Sequence, residues 1–515
     1  MRDLDRLLGL LAGASMVTAA LAWPAGCARS AEDCASLGLA DGCTSASGGS
    51  STTASGGTGG TSTGGGGTNT GGTNTGGMNT GGTSNGGSGG MNTGGSTSAP
   101  TVCASRRAGD GEDQQALSLD GRSGQILVGG SFLGTISFGG AQHSAVAESA
   151  FVAVLDAATL GPVWSRAMPV GYLAGALDAS GDVIVAATYS AAAPVDLGCG
   201  PLDESKDFVL VRLATTTGAC VWSKAMVAPF TSAHLAIAAN GDALITGVVQ
   251  PGLNGVDLGA TGPLPVHGMR DVVVARFDST GSTLWSRSYG SAEDDSVAGL
   301  VVNPTTSAVT IAGDFKGKID FATAGNALDS AGTRAVFAAQ LDSAGASSWA
   351  RMMNGPGADA VTGVALLPSG LPVIAGTFTT SLDVKTQVLS TPAELGGFLV
   401  ALDADGSTAW ARSIDSLGAA TISAITAGSS GVALAGSAPI DASNTRLYVT
   451  RLGLDGSPIS ESTIDGAGLT HGTGLVFDGT GLDVAGWFDD KLELGAAGSL
   501  ASSGKRDVFV LRLCL

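Results

Sequence analysis

A short sequence phrase recurs along residues 151–513 and constrains the fold more than any other feature of the chain. The phrase is an apolar segment ending in Leu-Asp, a small turn with glycine, and a second segment carrying Trp-Ser-Arg. Its copies span 151–166, 209–224, 273–287, 337–351 and 398–412, with a degraded copy at 448–460 and half a copy at 509–513. Repeats of this size predict a propeller or a solenoid, because a single unit cannot bury its own faces.

The composition favours short strands and tight turns over helices. The 515 residues include 82 Gly, and only 13% are charged and 5% aromatic. Chains rich in Gly, Val, Ser and Thr suit strands joined by hairpins. The net charge of −19 opposes binding to nucleic acid, since phosphate backbones are bound by clustered cations. The sequence therefore predicts an all-β protein that does not bind nucleic acid.

Residues 1–26 are predicted to be a signal peptide, because a basic start precedes an apolar stretch at 7–22 that is short for a spanning helix. Two cleavage sites remain open. Ala20-Leu21-Ala22 fits a small-x-small site, whereas Pro24-Ala25-Gly26-Cys27 resembles a bacterial lipobox, after which Cys27 would be lipidated. The first predicts a secreted protein, and the second an outer-membrane or cell-surface lipoprotein. Both predict export to a compartment in which disulfides persist.

Residues 27–100 are predicted to form a Cys-containing segment followed by a disordered linker. From 45 to 100 the chain is almost entirely Gly, Ser, Thr and Asn, with repeated Asn-Thr-Gly-Gly. Such a segment has too few apolar side chains to offset the entropy of ordering it. A flexible coil of this length reaches roughly 40 Å. We expect an inert spacer between an anchor and the repeat region.

Each complete repeat contains four segments with the signals of short strands. One example comprises 296–302, 308–313, 336–341 and 348–352, all rich in small and β-branched residues. The corresponding second strands of other repeats are predicted at 182–188, 242–247, 371–377, 431–436 and 482–486. Such segments joined by hairpins form small sheets, and four-stranded sheets repeated around an axis make a β-propeller.

The two ends of the chain predict how the ring of sheets closes. The last repeat stops after its third strand, with no fourth strand behind it. Cys103 lies ten residues before Asp113, the spacing that also separates Trp285 from Asp295. We therefore predict that residues 102–106 supply the missing strand.

The predicted fold class is an all-β, seven-bladed β-propeller over residues 101–515, preceded by the disordered linker. Its N- and C-terminal strands share the last blade. Sharing a blade removes the free edge that an open ring of sheets would present.

Setting Cys27 aside leaves six cysteines, for which we expect three disulfides. The pairs are Cys103–Cys514, Cys199–Cys220 and Cys34–Cys43. The first would lie on paired strands of the shared blade, the second flanks a predicted third strand, and the third lies beside the linker. Six cysteines allow 15 connectivities, so this pairing is a hypothesis.

The repeat pattern resembles a known family. Over residues 102–515 the chain is similar to SBBP-type β-propeller repeats. The similarity lies in the pattern Asp/Arg-x-Phe/Val-Val-Ala-x-Leu-Asp, then x-Gly-x-x-x-Trp-Ser-Arg and Tyr-Gly-x-x-x-Asp-Asp. Such repeats are common in exported bacterial proteins, including lipoproteins with a Gly/Ser/Thr spacer. The resemblance implies a fold and no defined reaction.

Residues 275–285 are also similar to the docking motif of quinoprotein dehydrogenase propellers, which bind pyrroloquinoline quinone. In that motif the Asp caps a turn and the Trp packs between blades. Those enzymes also use adjacent cysteines, and this chain has no Cys-Cys pair. We therefore expect inter-blade packing by Trp164, Trp222, Trp285, Trp349 and Trp410. We expect turn caps at Asp156, Asp278, Asp342 and Asp403. We expect pairing with Asp, or cover for Trp faces, from Arg166, Lys224, Arg287, Arg351 and Arg412.

Residues that could carry chemistry are few. The four histidines, His143, His234, His267 and His471, occupy different repeat positions and show no metal-ligand spacing. A zinc site needs three or four converging ligands. No Gly-x-Ser-x-Gly elbow occurs, so the sequence does not predict a serine nucleophile.

One group of carboxylates is a candidate metal site. The group lies in the segments between blades and comprises Glu112, Asp113, Glu293, Asp294, Asp295 and Asp359. Asp415 and His471 occupy similar segments. If these oxygens converge they could hold Ca²⁺ or attract a cationic ligand. The alternative is that they form turns and keep the protein soluble.

The function predicted from these observations is that of a non-catalytic binding or scaffold module at the cell envelope. A broad, rigid propeller face suits a protein or glycan partner, and contact with the membrane would be made by the lipid anchor alone. No cofactor is predicted beyond the candidate Ca²⁺. Two alternatives remain: an enzyme using a metal or quinone in an axial pocket, and a structural component of envelope assembly.

Overall fold

The structure, a computed structural model, describes residues 101–190, 194–250, 255–260, 262–321, 327–391, 395–414, 420–477 and 481–514. Regular structure in these residues comprises thirty-three strands and one three-residue 3-10 turn, Gly495–Ala497. The all-β class predicted from composition and repeats is confirmed.

Within the described ranges, twenty-eight of the strands form seven four-stranded antiparallel sheets, numbered here in chain order. Sheet 1 contains β2 (Gln114–Arg122), β3 (Gln125–Ser137), β4 (Gln142–Asp156) and β5 (Pro162–Met168). Sheet 2 contains β6 (Gly171–Leu177), β7 (Val183–Thr188), β8 (Phe208–Leu213) and β9 (Cys220–Met226). Sheet 3 contains β10 (Phe230–Ile237), β11 (Ala243–Val249), β12 (Asp271–Phe277) and β13 (Thr283–Tyr289). Sheet 4 contains β14 (Ser296–Val302), β15 (Val309–Asp320), β16 (Ala327–Leu341) and β17 (Ser347–Met353).

The remaining sheets follow the same plan. Sheet 5 contains β18 (Ala360–Leu366), β19 (Pro372–Phe378), β22 (Gly396–Leu402) and β23 (Thr408–Ile414). Sheet 6 contains β24 (Thr421–Gly428), β25 (Gly431–Pro439), β26 (Thr445–Leu452) and β27 (Pro458–Ile464). Sheet 7 contains β29 (Thr470–Phe477), β30 (Gly481–Phe488), β33 (Asp507–Cys514) and β1 (Val102–Ala108). Smaller ladders are formed by β20 (Ser381–Asp383) with β21 (Val388–Ser390), and by β28 (Gly466–Ala467), β31 (Lys491–Glu493) and β32 (Ser499–Ala501).

Sheet 7 is built from both ends of the described chain. Its strand order is β1-β33-β30-β29, so β1 occupies the place that the fourth strand has in the other sheets. The pairing is antiparallel and runs from Val102 opposite Leu513 to Ala108 opposite Val508. The segment predicted to be this strand, residues 102–106, lies within β1.

The first strands of consecutive sheets contact one another in chain order. The contacting pairs are β2–β6, β6–β10, β10–β14, β14–β18, β18–β24, β24–β29 and β29–β2. In the last pair the Thr473 hydroxyl donates to the Ala116 carbonyl at 2.9 Å. Four-stranded sheets packed in this way are the arrangement of a β-propeller, as the repeats predict.

The hydrophobic core is divided among the spaces between sheets. Each of seven buried clusters joins two consecutive sheets, and one of them joins sheet 7 to sheet 1. Every residue of β11, β12 and β22 is buried, because neighbouring sheets cover both faces of these strands. Continuous apolar runs such as Val272–Ala275 are the sequence signal of this two-sided burial.

The repeated tryptophans pack each sheet against the next one. Four indole Nε1 atoms donate to a backbone carbonyl in the following sheet: Trp164 to Thr215 at 2.6 Å, Trp222 to Ser279 at 3.0 Å, Trp285 to Ser343 at 2.9 Å and Trp349 to Ala404 at 3.0 Å. Each ring also lies against a positive-φ glycine of that turn. The Trp–Gly pairs are 164–218, 222–281, 285–345, 349–406 and 410–456. The predicted inter-blade role of these tryptophans is confirmed.

The turn carboxylates act as caps. Asp278 accepts hydrogen bonds from two backbone amides of its own turn at 2.8 and 2.9 Å, and Asp342 accepts two at 2.9 Å. Asp156 accepts one at 2.9 Å. In the fourth predicted cap the backbone amide bonds to Asp405 rather than to Asp403, which accepts only a hydroxyl at 3.5 Å. Side-chain oxygens of this kind stabilise tight turns.

Arginines after the tryptophans cover an indole ring, contact the next sheet, or do both, as Arg351 does by donating to the Asp405 carbonyl at 2.6 Å. The guanidinium groups of Arg287 and Arg351 each lie 5.9 Å from the centroid of the Trp in their own strand, at cation–π distance. Arg166 instead donates to the carbonyls of Gly218 at 2.8 Å and Leu197 at 2.5 Å in the next sheet. It therefore joins sheets through backbone contacts and not through an Asp.

Third-strand arginines form a further contact between sheets, and it recurs between sheets 7 and 1. Arg276 pairs with its neighbour Asp242 and donates to the Ser343 carbonyl of the next sheet at 3.3 Å. Arg512 pairs with Asp483 in sheet 7 and donates to the Ala157 carbonyl of sheet 1 at 2.6 Å. The last sheet is thus joined to the first by the same type of contact.

Register places Ala104, not Cys103, at the tryptophan position of sheet 7. Ala104 pairs with Arg512, as Trp285 pairs with Arg276, and Cys103 is the extra residue of a bulge. The predicted alignment of Cys103 with Trp285 is therefore wrong by one residue. Position in the sheet is fixed by pairing between strands. The residue at the register position of Asp295 is Gln114 and not Asp113, so the spacing of ten residues holds between Ala104 and Gln114.

The turn of sheet 1 compensates for the missing indole. Leu160 (φ 54) stands where the turns of sheets 2 to 6 have glycine, and it is fully buried. Leu160 belongs to the core cluster against which Ala104 packs. The other turns pair a glycine with a Trp of the preceding sheet. At this position a large turn residue, Leu160, is combined with a small strand residue, Ala104.

Two disulfides lie in the described part of the chain. Cys199 and Cys220 are bonded with their Cα atoms 5.6 Å apart, which confirms that predicted pair. A second disulfide joins Cys103 of β1 to Cys514 of β33, with Cα atoms 5.8 Å apart. The predicted pair Cys34–Cys43 lies outside the described residues.

Candidate binding face

The segments that join consecutive sheets lie at the same sheet ends as the connections between second and third strands. The Ser291 hydroxyl of one such segment donates to the Lys316 carbonyl at 2.8 Å. Another segment pairs Asn354 with Asp383. We call the surface formed by these two kinds of segment the connection face. All six predicted metal ligands belong to these segments.

Glu112 and Asp113 are paired with basic residues from the other end of the chain. Glu112 lies 2.9 Å from Lys505, and Asp113 lies 3.0 Å from Arg506. All four side chains are more than a third exposed, so each pair contributes about 0–1 kcal/mol. Burial opposes the charge of Asp113, but the hydrogen bond and the charge of Arg506 hold its pKa below the ordinary value.

Glu293 and Asp294 are also paired. The Glu293 carboxylate lies 3.6 Å from the Lys316 ammonium, and Asp294 lies 2.8 Å from Arg270. The hydrogen bond from Arg270 lowers the pKa of Asp294. These carboxylates already have cationic partners from their own surroundings.

Asp295 and Asp359 are fully buried instead of facing solvent. Asp295 accepts a hydrogen bond from the Ser291 backbone amide at 2.6 Å, and burial raises its pKa to about 6. Burial raises the pKa of Asp359 to about 7, although the backbone amides of Gly355 and Thr379 act in the opposite direction. Both carboxyl groups lie beneath the connection face and shape its turns.

The six candidate ligands therefore do not converge. Across the described ranges, no group of three or more His, Cys, Asp or Glu side chains could hold a metal ion. Asp415 lies outside the described residues. The Ca²⁺ site remains a prediction from sequence, without a cluster in this part of the chain to support it.

The first strands carry β-bulges close to the connection face. In six sheets the extra residue occupies equivalent places, at Leu117, Leu173, Ala298, Thr362, Ser423 and Thr473. In sheet 3 the shift lies between Phe230 and Ser232. A bulge re-aims the side chain of the extra residue.

His471 joins sheet 7 to two serines of sheet 6. Its Nε2 lies 3.0 Å from the Ser423 hydroxyl and its Nδ1 lies 2.8 Å from the Ser437 hydroxyl. The imidazole stacks on Trp487, with ring centroids 5.7 Å apart and an interplanar angle of 28°. The Arg506 guanidinium lies 5.2 Å from the centroid of the same indole. Burial lowers the pKa of His471.

The sequence did not point to this group, because the two serines lie 48 and 34 residues from His471. The one available signal was His471 itself, which stands where the first strand of sheet 6 has Thr421. Trp487 is likewise the one Trp of the described chain outside the repeated inter-sheet position. His471 and Trp487 therefore both depart from the repeat, and this departure is visible in the sequence.

The other histidines have different surroundings. His143 Nε2 lies 2.9 Å from the Ser165 hydroxyl. Burial lowers the pKa of His234 to about 4. The backbone amide of His267 donates to Asp271.

One cavity lies at the opposite sheet ends, between sheets 4, 5 and 6. Its volume is about 520 Å³, and it is lined by residues 303–306, 366–370 and 427–428. None of these lining residues titrates.

No family model matches the chain, and no curated protein sequence matches it. Among solved structures it is similar to a Dos1 propeller, with 10% identity over 80% of this chain and 95% of that chain and a TM-score of 0.39. It is also similar to the polysaccharide lyase Uly1, with 10% identity, coverage of 78% and 90%, and a TM-score of 0.41. A third is the quinohemoprotein alcohol dehydrogenase ADHIIG from Pseudomonas putida HK5, with 11% identity, coverage of 80% and 76%, and a TM-score of 0.34. These values are too low to carry a functional inference, and the resemblance to SBBP-type repeats stays a prediction.

Cys27, Cys34 and Cys43 lie outside the described residues. None of the described segments forms a helix of the length and hydrophobicity that crossing a membrane requires.

Proposed function

We propose that this protein is an exported seven-bladed β-propeller that binds a protein or glycan partner through its connection face. In this proposal the seven sheets form a closed ring, and β1 completes the last blade. The supporting observation is the core cluster shared by sheets 7 and 1, together with the bond from Arg512 to Ala157. A closed ring has no free sheet edge at its seam and presents a rigid surface.

The anchoring part of the proposal rests on the sequence. Residues 1–26 act as a signal peptide, Cys27 takes the lipid, and the Gly/Ser/Thr/Asn-rich linker tethers the propeller at the outer membrane or cell surface. Replacement Cys27→Ser tests it. Radiolabelled palmitate should label the wild-type protein and not the variant, and equal labelling of both would exclude lipidation at Cys27.

The binding role is supported by the composition of the connection face. Some of its charged side chains are paired with one another, as in Glu112–Lys505 and Asp294–Arg270, and the surface is polar. Surfaces of this kind suit broad contacts in which complementary charges set orientation. No reaction is part of this proposal.

Cross-linking in the native envelope, followed by pull-down, tests the binding role. Glu112→Lys combined with Glu293→Lys reverses charge on the connection face. Asp405→Lys combined with Asp455→Lys makes the same change in exposed turns at the opposite sheet ends and is the matched control. We expect the first pair alone to lose the captured partner. Loss by both pairs, or by neither, would contradict the choice of face.

Two alternatives make different predictions for the same sample. An enzyme that uses a metal or a quinone would carry that group in stoichiometric amount after purification, which metal analysis and absorption spectra would detect. A structural component of envelope assembly would co-purify with assembly machinery, and its deletion would alter the outer membrane itself.

A further inference from the structure

The contact between sheets 6 and 7 has the geometry of a hydroxyl polarised by an imidazole. His471 lies between two hydroxyls, with Ser423 at Nε2 and Ser437 at Nδ1. A neutral imidazole has one donor nitrogen and one acceptor nitrogen. When Nδ1–H donates to Ser437, Nε2 accepts the proton of the Ser423 hydroxyl.

The fold fixes each member of this group. Ser423 is the extra residue of the β24 bulge and has no partner in the register with β25, so the bulge sets the direction of its side chain. Ser437 lies on β25 and is also 3.2 Å from the Thr421 hydroxyl. Stacking on Trp487 holds the plane of the imidazole. All of these side chains except that of Thr421 are half-buried.

The equivalent bulges of the other sheets lack this combination. They carry Leu117, Leu173, Ala298, Thr362 and Thr473. The Thr473 hydroxyl donates to backbone carbonyls instead. Among these bulge residues, Ser423 alone has its hydroxyl bonded to an imidazole that a second hydroxyl orients. The repeat does not account for this arrangement.

We propose that Ser423 is a nucleophilic serine that attacks acyl esters, with His471 as its general base and Ser437 as the residue that positions the imidazole. The pattern of nucleophile, base and orienting group within hydrogen-bond reach is the signature of covalent catalysis by serine. This proposal goes beyond the binding role and does not depend on it. If it holds, the expectation of a non-catalytic module is wrong.

The chemical step balances without a cofactor. The Ser423 oxygen attacks the acyl carbon while its proton passes to Nε2 of His471. The ester C–O bond then breaks, the alcohol leaves with that proton, and the acyl group stays on the serine. Water attacks the acyl carbon in the same way, with His471 again taking and returning one proton, and releases the carboxylic acid.

The protonation state of His471 is compatible with this role. Burial lowers the pKa of His471 below its ordinary value, so the ring is neutral at pH 7 and Nε2 can accept a proton. The Arg506 guanidinium lies over Trp487 and is paired with Asp113.

A fluorophosphonate probe tests the proposal on the full chain. The serine oxygen displaces fluoride from phosphorus, and peptide mass spectrometry identifies the labelled residue. We expect labelling at Ser423. The internal control is Ser165, whose hydroxyl lies 2.9 Å from His143 but whose imidazole has no second hydroxyl partner among the described residues. Ser165 should label at least about 100-fold more slowly.

Variants separate catalysis from packing. His471→Gln should slow the labelling of Ser423 by about 100-fold or more. Ser437→Ala should slow it to a lesser extent, and Ser437→Thr should restore it, which a purely structural role would not predict. Thermal melting of each variant shows that the fold is retained.

Three results would overturn the proposal: no label on Ser423 in the folded wild-type protein, equal labelling of Ser165, or undiminished labelling in His471→Gln. If His471→Gln does not fold, the wild-type comparison of Ser423 with Ser165 still decides. Failure of this test leaves the pull-down result on the connection face unaffected, so the two proposals are distinguishable.

Discussion

The indole ring of Trp164 lies so close to Gly218 that a β-carbon on this glycine would come within 2.6 Å of it. Gly218 also has a φ of 63°, in the left-handed region that favours glycine. The same pairing recurs from Trp222–Gly281 to Trp410–Gly456. Contact between adjacent sheets therefore depends on the absence of one carbon atom in each of these five turns.

Gly218→Ala should destabilise the protein by about 2–4 kcal/mol, since it adds backbone strain to overpacking against the indole. Gly124→Ala is the matched control, because its φ of 77° is similar and nothing lies within 4 Å of the added carbon. Denaturant unfolding should show a clearly smaller loss for the control. Equal losses of stability would mean that backbone strain alone explains the effect of Gly218→Ala, without a contribution from the indole contact.

Ala104 and Leu160 should behave as a coupled pair. Ala104→Trp should cost about 1–3 kcal/mol by overpacking, and Leu160→Gly about 2–5 kcal/mol by emptying a buried site. The double variant recreates the Trp–Gly pair of the other sheets. We expect it to be more stable than the sum of the single changes predicts, by about 0.5–3 kcal/mol. Additive losses would show that sheets 7 and 1 do not pack as the others do.

The Cys103–Cys514 disulfide should stabilise the protein more than Cys199–Cys220. The two disulfides close loops of 411 and 21 residues. From the entropy that such loops remove from the unfolded chain, the expected stabilisation is about 6 and about 3 kcal/mol. Cys103→Ser with Cys514→Ser should therefore lower the melting temperature more than Cys199→Ser with Cys220→Ser. The reverse order would argue against a constraint on the unfolded chain as the main effect.

Stability should fall as pH rises through the range in which Asp359 titrates. Its pKa is raised from 3.8 to about 7, so between these values the folded state keeps a proton that the unfolded chain has lost. Asp359→Asn should flatten this slope and raise the melting temperature at pH 8 relative to wild type. Asp113→Asn is the control of opposite sign, because the pKa of Asp113 is lowered and its contribution is lost as pH falls. A wild-type melting temperature that stays level between pH 4 and 8 would contradict the role given to Asp359.

Repeats made the fold and the pairing of the chain ends predictable, but not the register of β1 against β33. The second strand predicted at 182–188 corresponds to β7, and residues 102–106 lie within β1. The error of one residue at Cys103 arose because spacing along the chain was used in place of cross-strand register. Register depends on bulges, and a bulge adds a residue without a compositional signal.

The candidate site was less predictable for a different physical reason. Carboxylates such as Asp113 were grouped because they share a face, but each finds a local cation or is buried. The group around His471 instead depends on contact between two sheets, with Ser423 and Ser437 on different strands. A sequence pattern describes one sheet at a time, so contacts that form only between sheets are not visible in it.

The pairing of β1 with β33 also has a consequence for biosynthesis. A chain is synthesised from its amino end, so β1 is made early and its partner strand β33 is made about four hundred residues later, as the 411-residue separation of Cys103 and Cys514 shows. During that interval the final sheet cannot be completed, and contacts this distant in sequence form slowly. A copy released before β33 would keep an unpaired strand edge, which invites aggregation. Sheet 7 is thus completed only after β33 has been made, and a copy that stops before β33 exposes the edge that β33 otherwise covers.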